Sequence, residues 1–229
     1  GLALGSDPMM MAISAAGGAV CAAGEAGAVH LYQAGAAPMK YTLAGRPSFR
    51  SASLYSRTLG YLGGDCGELW RWTGRAWEAL APFTAADVCA VAVAMPGDVL
   101  VGTADGCLWR TDGNGKPVSF ADLRPARGEA RPVAAVRALL TMGPGELWAA
   151  AGAVVFRLAG QRQADRWALP EGSDVLALCA PPAAAGLAPV YAVGRGGVWR
   201  LYRGGTGEAQ RIAGRPGLEA PQPALLHHA

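Results

Sequence analysis

Short runs of apolar residues, each broken by a turn of small and polar residues, recur five times along this chain. In each copy the apolar run ends at Gly or Ala, turns, and restarts as an apolar residue, a residue with a ring and, in four copies, Arg. The copies begin at Val20, Tyr61, Leu100, Leu147 and Val190. Short apolar runs bounded by such turns are typical of β-strands joined by hairpins. The pattern therefore predicts five strand–turn–strand units.

The residue with a ring gives the spacing of the repeat. Successive ring residues are 40, 39, 47 and 43 positions apart, at His30, Trp70, Trp109, Phe156 and Trp199. A period of about 40 to 50 residues built from short strands is the signature of a propeller blade. We therefore predict an all-β fold, a five-bladed β-propeller of four-stranded antiparallel blades. These five residues, called the blade anchors, are expected to pack between adjacent blades because large rings bury the most apolar surface.

Turn residues and prolines divide the chain into blades. We predict a single propeller domain over residues 1–214 and a proline-rich C-terminal tail over residues 215–229. The predicted blades cover residues 9–45, 48–83, 85–124, 132–170 and 173–214. A propeller must close or leave strand edges exposed, so we expect residues 2–4 to add a strand to the last blade and close the ring. The alternatives are an open ring and further blades from outside this sequence.

The third copy shows the repeat most clearly. Its sequence VLVGTADGCLWRTDG, residues 99–113, resembles the repeats of sialidase-type and photosynthetic-assembly-factor-type propellers, and residues 191–200 resemble a degenerate copy. The stretch departs from the Asp-box pattern of those repeats because no Trp follows Asp112 at the expected place. The resemblance implies the propeller superfamily and its fold. It identifies no member family, and a fold does not by itself decide function.

Composition narrows the classes of partner. The formal net charge is only +3 and charged residues make up 16% of the chain, which disfavours a dedicated nucleic-acid surface. No apolar run approaches the roughly 20 residues of a membrane helix, so no membrane insertion is expected. Five cysteines without a C-x-x-C pair favour reduced thiols and an intracellular or organelle-matrix location.

Charged residues recur in the turns between the second and third strands of the blades. These residues are Glu25, Asp65, Asp105 and Arg195. Because alternating strands bring those turns to one face, the four side chains are candidates for a ligand-binding ring around the axis. The simpler interpretation is that Asp and Glu are ordinary turn residues that bond their own backbone. Carboxylates suit a hard cation, but the spacing does not require one, so we predict no metal and no cofactor.

Catalytic residues are not predicted. Glycoside hydrolysis needs two carboxylates at a set separation, and the inner strands offer only Asp87 and Asp174, each directly before an apolar run, together with Arg137. Asp at a loop-to-strand junction is the preferred interpretation for both. The histidines form no triad with Ser and Asp, and there is no phosphate-binding glycine loop in a βαβ setting.

The functional prediction is a non-catalytic protein-interaction scaffold, a peripheral subunit of a larger assembly whose partners are other protein subunits. Arg-rich loops on a rigid scaffold suit such contacts; they lie at residues 123–131, 157–166 and 195–215. The alternative is a glycan- or small-ligand-binding module. Such a module would need tryptophans at equivalent positions in each blade, and these tryptophans do not recur in register: Trp72, Trp77, Trp148 and Trp167. A glycoside hydrolase-like enzyme is the third hypothesis.

Overall fold

The computed structural model describes residues 8–112, 114, 117–129, 132–143, 145–181, 189–203 and 209–213. In this part of the chain, twenty strands form five antiparallel sheets, each built from four consecutive strands. Each sheet is one blade. Its first strand is innermost, because the first strands of neighbouring blades contact one another. The prediction of an all-β, five-bladed propeller with four-stranded blades is confirmed.

The strands are numbered in chain order. Blade 1 comprises β1 (Met10–Ala16), β2 (Ala19–Gly24), β3 (Ala28–Gln33) and β4 (Met39–Thr42). Blade 2 comprises β5 (Phe49–Ser56), β6 (Leu59–Gly64), β7 (Leu69–Trp72) and β8 (Trp77–Ala79). Blade 3 comprises β9 (Val88–Met95), β10 (Asp98–Thr103), β11 (Cys107–Thr111) and β12 (Val118–Asp122). Blade 4 comprises β13 (Val136–Thr141), β14 (Glu146–Ala151), β15 (Val154–Ala159) and β16 (Arg162–Ala168). Blade 5 comprises β17 (Val175–Cys179), β18 (Val190–Gly194), β19 (Gly197–Leu201) and β20 (Gln210–Ala213).

Adjacent blades approach closely near the axis because the second strands carry glycine there. A Cβ atom on Gly63 of blade 2 would lie 2.2 Å from Cγ1 of Val88, the first residue of β9 in blade 3. A Cβ atom on Gly102 of blade 3 would likewise lie 2.6 Å from Cγ1 of Val136 in blade 4. Both valines are fully buried. The missing side chain therefore makes room for the inner strand of the next blade.

Four of the five blade anchors lie on the side of their sheet that faces the preceding blade. Trp70 packs on the core shared by blades 1 and 2, and Trp109 on the core shared by blades 2 and 3. Phe156 lies in the core between blades 3 and 4 and Trp199 in that between blades 4 and 5, and both are buried. His30 is in register with these residues, opposite Ala22, but no described blade precedes it.

Further tryptophans face the neighbouring blades. Trp148 and Trp167 stack with their ring centroids 4.7 Å apart and are both fully buried on the side of blade 4 that faces blade 5. Trp72 and Trp77 pack together on the side of blade 2 that faces blade 1, with centroids 5.4 Å apart. Tryptophan burial is thus a property of the blade interfaces.

Successive blades pack against one another in chain order. Apolar cores join blades 1 and 2, 2 and 3, 3 and 4, and 4 and 5. Within the described ranges, no such core and no extensive contact joins blade 5 to blade 1. The expectation of a ring closed by this chain stays a prediction, because the strand expected to close it is not among the described residues. Residues 2–4, expected to close it, and the tail at 215–229 lie outside the described residues, and the domain boundary at residue 214 stays a prediction.

Candidate functional site

The four charged turn residues lie at one end of the blades, and a ligand-binding role for them stays a prediction. The carboxylate of Asp105 accepts hydrogen bonds from Thr103 Oγ1 at 2.6 Å and from the Cys107 amide at 3.4 Å, so it closes its own turn. Glu25 and Arg195 are exposed. Among the described residues, no hydrogen bond or ion pair joins any two of the four. Of these four residues, only Asp65 pairs with a side chain of an innermost strand, namely Arg50 of β5.

Arg50 lies at a β-bulge, and all five blades have such a bulge at the same end. Each innermost strand has a β-bulge at its second residue, where the pairing with the second strand skips one position. The bulged residues are Met11, Arg50, Cys89, Arg137 and Leu176, and we call them the bulge ring. A bulge inserts an extra residue and re-aims its side chain, and bulges are over-represented beside functional sites.

The burial of the neighbouring residues explains why the bulged side chains are not packed between the blades. The first residue of four innermost strands is fully buried between blades; these residues are Phe49, Val88, Val136 and Val175. The third residue of blade 2, Ser51, is buried as well. The extra residue between two buried ones is the only one that can leave the interface. The bulge ring is accordingly exposed or half-buried throughout, with Met11 at 43% and Leu176 at 51% exposure.

Arg50 joins two blades at this ring. Its guanidinium lies 2.9 Å from Asp65 of its own blade and 3.3 Å from Asp87, the residue before the inner strand of blade 3. The other oxygen of Asp87 accepts a hydrogen bond from the Cys66 amide at 3.1 Å. The charge of Arg50 is therefore compensated by two carboxylates that also fix the turn of blade 2 against blade 3.

Arg137 differs from Arg50. It is exposed, and among the described residues no carboxylate forms an ion pair with it. Between the two arginines lies Cys89. Burial raises the pKa of the Cys89 thiol, while the nearby guanidinium groups of Arg137 and Arg50 act in the opposite direction. The ring thus presents one compensated and one uncompensated cation, with apolar Leu176 on the next inner strand.

The two acids considered for glycosidase chemistry are not brought together by any contact. Asp87 is occupied by Arg50 and the Cys66 amide. Asp174 contributes its backbone carbonyl, which accepts the amide of Arg195 at 3.1 Å. Both residues stand at loop-to-strand junctions, the position that the sequence favoured. Across the described residues no group of three or more His, Cys, Asp or Glu side chains is placed to hold a metal ion.

The tryptophans considered for glycan binding are also unavailable for it. Trp72, Trp148 and Trp167 are fully buried, and Trp77 is nearly so. A sugar-binding platform needs an exposed ring face.

No helix in the described ranges is long and apolar enough to cross a membrane.

Sequence reasoning missed most of the bulge ring. It noted Arg137 as an inner-strand residue but passed over Arg50, Met11 and Leu176. The signal lies in the alignment of the blades, where a buried apolar residue is followed by a variable residue and then a small one. Phe49-Arg50-Ser51 and Val136-Arg137-Ala138 both show it. A bulge cannot be distinguished from ordinary strand alternation in a single copy.

Comparison with known proteins supports the fold and leaves the member family open. No protein-family model and no curated protein matches the sequence. Among solved structures, the chain is similar to the WD40 β-propeller domain of Doa1, with a TM-score of 0.68 and 15% identity over 90% of this chain and 68% of that chain. It is also similar to YCF48 bound to D1 peptide, with a TM-score of 0.63 and 14% identity over 91% of this chain and 69% of that one. The chain is thus a β-propeller, as the repeat predicted.

Proposed function

We propose that this propeller is a non-catalytic protein-interaction module, a peripheral subunit of a larger assembly, and that the bulge ring receives a segment of the partner. The observation that carries the proposal is the repetition of the bulge. All five inner strands break their pairing at the same position, and the bulged side chain is exposed or half-buried in each. In blades 2, 3 and 4 packing alone does not require this, because the residues on either side of the bulge already fill the interface.

The chemistry of the ring suits a peptide that carries a carboxylate beside apolar side chains. Arg137 offers an uncompensated guanidinium, whose fork can bind a carboxylate by two parallel hydrogen bonds. Leu176 and Met11 offer exposed apolar surface on the neighbouring inner strands. The similarity to YCF48 bound to D1 peptide supports the proposal, since that propeller fold holds a peptide.

The same residues are poorly arranged for catalysis. A nucleophilic thiol needs a lowered pKa, whereas burial raises that of Cys89. Asp65 and Asp87 both pair with Arg50, and a general base must be free to take a proton. We therefore place the chain among binding proteins rather than among glycoside hydrolases.

The test compares the proteins that co-purify with the chain from its source, identified by mass spectrometry. The variant Arg137→Glu reverses the free charge of the ring without touching a buried residue. The matched control is Arg75→Glu, which reverses another exposed arginine, in the turn between β7 and β8 at the opposite end of the blades. We expect a stoichiometric partner to be retained by the wild type and by Arg75→Glu and to be lost from Arg137→Glu.

Two results would contradict the proposal. If the wild-type chain purifies alone, it is not an assembly subunit. If Arg137→Glu keeps every partner that Arg75→Glu keeps, the partner does not bind through the bulge ring.

A further inference from the structure

Two blade interfaces carry the same pair of opposite charges at the bulge end of the blades. In each, an arginine is the bulged residue of one innermost strand, and an aspartate directly precedes the innermost strand of the next blade. Arg50 and Asp87 hold these positions between blades 2 and 3. Arg137 and Asp174 hold them between blades 4 and 5. The two pairs thus have the same charges at equivalent places in the fold.

The backbone holds the two aspartates in the same way. The carbonyl of Asp87 accepts the amide of Ala104 at 2.9 Å, and the carbonyl of Asp174 accepts the amide of Arg195 at 3.1 Å. In both blades this hydrogen bond joins the residue before the innermost strand to the turn after the second strand. The bulges are equivalent as well, each at the second residue of its innermost strand. Any difference between the two pairs therefore comes from the side chains and turns around them.

Between blades 2 and 3 the charges compensate one another. Arg50 lies 2.9 Å from Asp65 and 3.3 Å from Asp87. The other oxygen of Asp87 accepts the Cys66 amide at 3.1 Å. Asp65 and Cys66 both belong to the short 3-10 turn that follows β6. This one turn therefore supplies a carboxylate to the arginine and an amide to the aspartate.

Between blades 4 and 5 the equivalent turn is shorter and carries no charge. Gly152 and Ala153 alone join β14 to β15. The turn bonds to blade 5 through its backbone, because the Gly152 carbonyl accepts the amide of Val175 at 2.9 Å. It offers no carboxylate to Arg137 and no amide to the carboxylate of Asp174. Among the described residues, neither of these two side chains has a hydrogen bond or an ion pair, with each other or with a third group.

We propose that Arg137 and Asp174 are the two halves of one recognition site, and that the partner segment carries an acidic side chain for Arg137 beside a basic side chain for Asp174. The inference rests on the proposed function and narrows the chemistry of its partner segment. Arg137 is exposed and can bind a carboxylate through both arms of its fork. Asp174 is half-buried without a partner, which is unfavourable for a carboxylate, and a cation from outside relieves that cost.

Two opposite charges also make the site selective. A nucleic acid or a run of acidic residues is attracted by Arg137 but repelled by Asp174, and a run of basic residues meets the reverse. Leu176, two positions after Asp174, is 51% exposed and offers apolar surface beside the charges. The segment that fits best therefore has mixed charge and an apolar neighbour.

The experiment selects heptapeptides from a random display library on the immobilised wild-type chain. Each selected peptide is synthesised twice, once unchanged and once with its basic residue replaced by Gln. The dissociation constants of both forms are measured for the wild type and for Asp174→Asn. The matched control is Glu78→Gln, which neutralises an exposed acid on the outermost strand of blade 2.

We expect the selected peptides to contain both an acidic and a basic residue. The wild type and Glu78→Gln should bind the unchanged form about tenfold more tightly than the Gln form, because hydrogen bonds between charged groups are the stronger ones. Asp174→Asn should bind both forms equally, since the partner of the basic residue is gone. Asp174→Ser, another residue suited to this junction, should give the same result, and the urea midpoint of each variant checks that it is folded.

Two results would overturn the inference and leave the proposed function standing. If Asp174→Asn keeps the preference for the unchanged peptide, the basic residue binds elsewhere. If the selected peptides are acidic only and bind Asp174→Asn more tightly than the wild type, Asp174 opposes the partner rather than binding it. A third result removes both proposals: the wild type selects no peptide above the background of Arg137→Glu.

Discussion

Trp199 in blade 5 and His30 in blade 1 hold equivalent positions on their third strands, yet their surroundings are opposite. Trp199 is 1% exposed within the core shared with blade 4. His30 faces away from blade 2 and is only half-buried, with an edge contact to Tyr32 at 6.5 Å between ring centroids. The difference teaches that a blade anchor stabilises the fold through its neighbour. The same strand position contributes much between two packed blades and little on a side that no described blade covers.

The largest expected difference between the two positions comes from truncating both anchor side chains. Trp199→Ala removes a fully buried ring and should lower the free energy of unfolding by about 3–5 kcal/mol. His30→Ala removes a half-exposed ring from the uncovered side and should change it by less than about 0.5 kcal/mol. Urea unfolding followed by tryptophan fluorescence and circular dichroism measures both. Equal losses for the two variants would mean that the side of blade 1 that carries His30 is covered in solution.

A second substitution tests the close approach between interior blades. Gly63→Ala places a Cβ atom where Cγ1 of Val88 lies 2.2 Å away, so one blade must move. Overpacking of this kind costs about 1–3 kcal/mol. The double variant Gly63→Ala with Val88→Ala removes the clashing methyl groups and should recover part of the loss. If the double variant is simply the sum of the two single losses in a urea titration, the two residues do not meet across this interface.

A third pair of substitutions, with a smaller expected effect, compares a polar contact between two blades with one inside a single blade. Glu146 of blade 4 accepts hydrogen bonds from Arg203 of blade 5 and from Trp148 Nε1, each at 2.8 Å. Glu146→Gln keeps an acceptor but loses the charge, which should cost about 1 kcal/mol in this partly buried setting. Glu78→Gln is the control, since Glu78 pairs with Arg71 inside one blade and is more exposed. Its loss should stay below about 0.5 kcal/mol. Equal losses in thermal unfolding would show that the link between blades adds nothing.

The fold could be predicted because its repeat is visible in single blades. Small apolar runs, glycine turns and a ring every 40 to 50 residues specify strands, hairpins and blade number without tertiary information. Strand alternation also predicts that the arginines after the blade anchors point to the opposite side of the sheet. Arg110 turns to the opposite side from Trp109 and pairs with Asp98 on the neighbouring strand at 2.7 Å.

The candidate site could be predicted only in part, because its elements depend on contacts between blades. Asp65 is shared by the prediction and the structure, but its partner Arg50 reads as an ordinary exposed strand residue in one copy. Asp105 looked identical to Asp65 in sequence, yet it bonds its own turn. The exposure of Ile13 and Val193 could not be predicted either, since both lie in runs as apolar as those of interior blades.

Each sheet uses four strands that are consecutive in the chain, and none of the described sheets combines strands from distant segments. This arrangement has a kinetic consequence. A propeller whose last sheet joins both ends must bring them together before that sheet forms, and the entropy cost of closing a loop rises with its length. Here each described sheet pairs only strands that are adjacent in the chain, so forming a sheet closes short loops. Growth can proceed blade by blade as in a solenoid, with hydrogen exchange faster in blades 1 and 5 than in the blades between them.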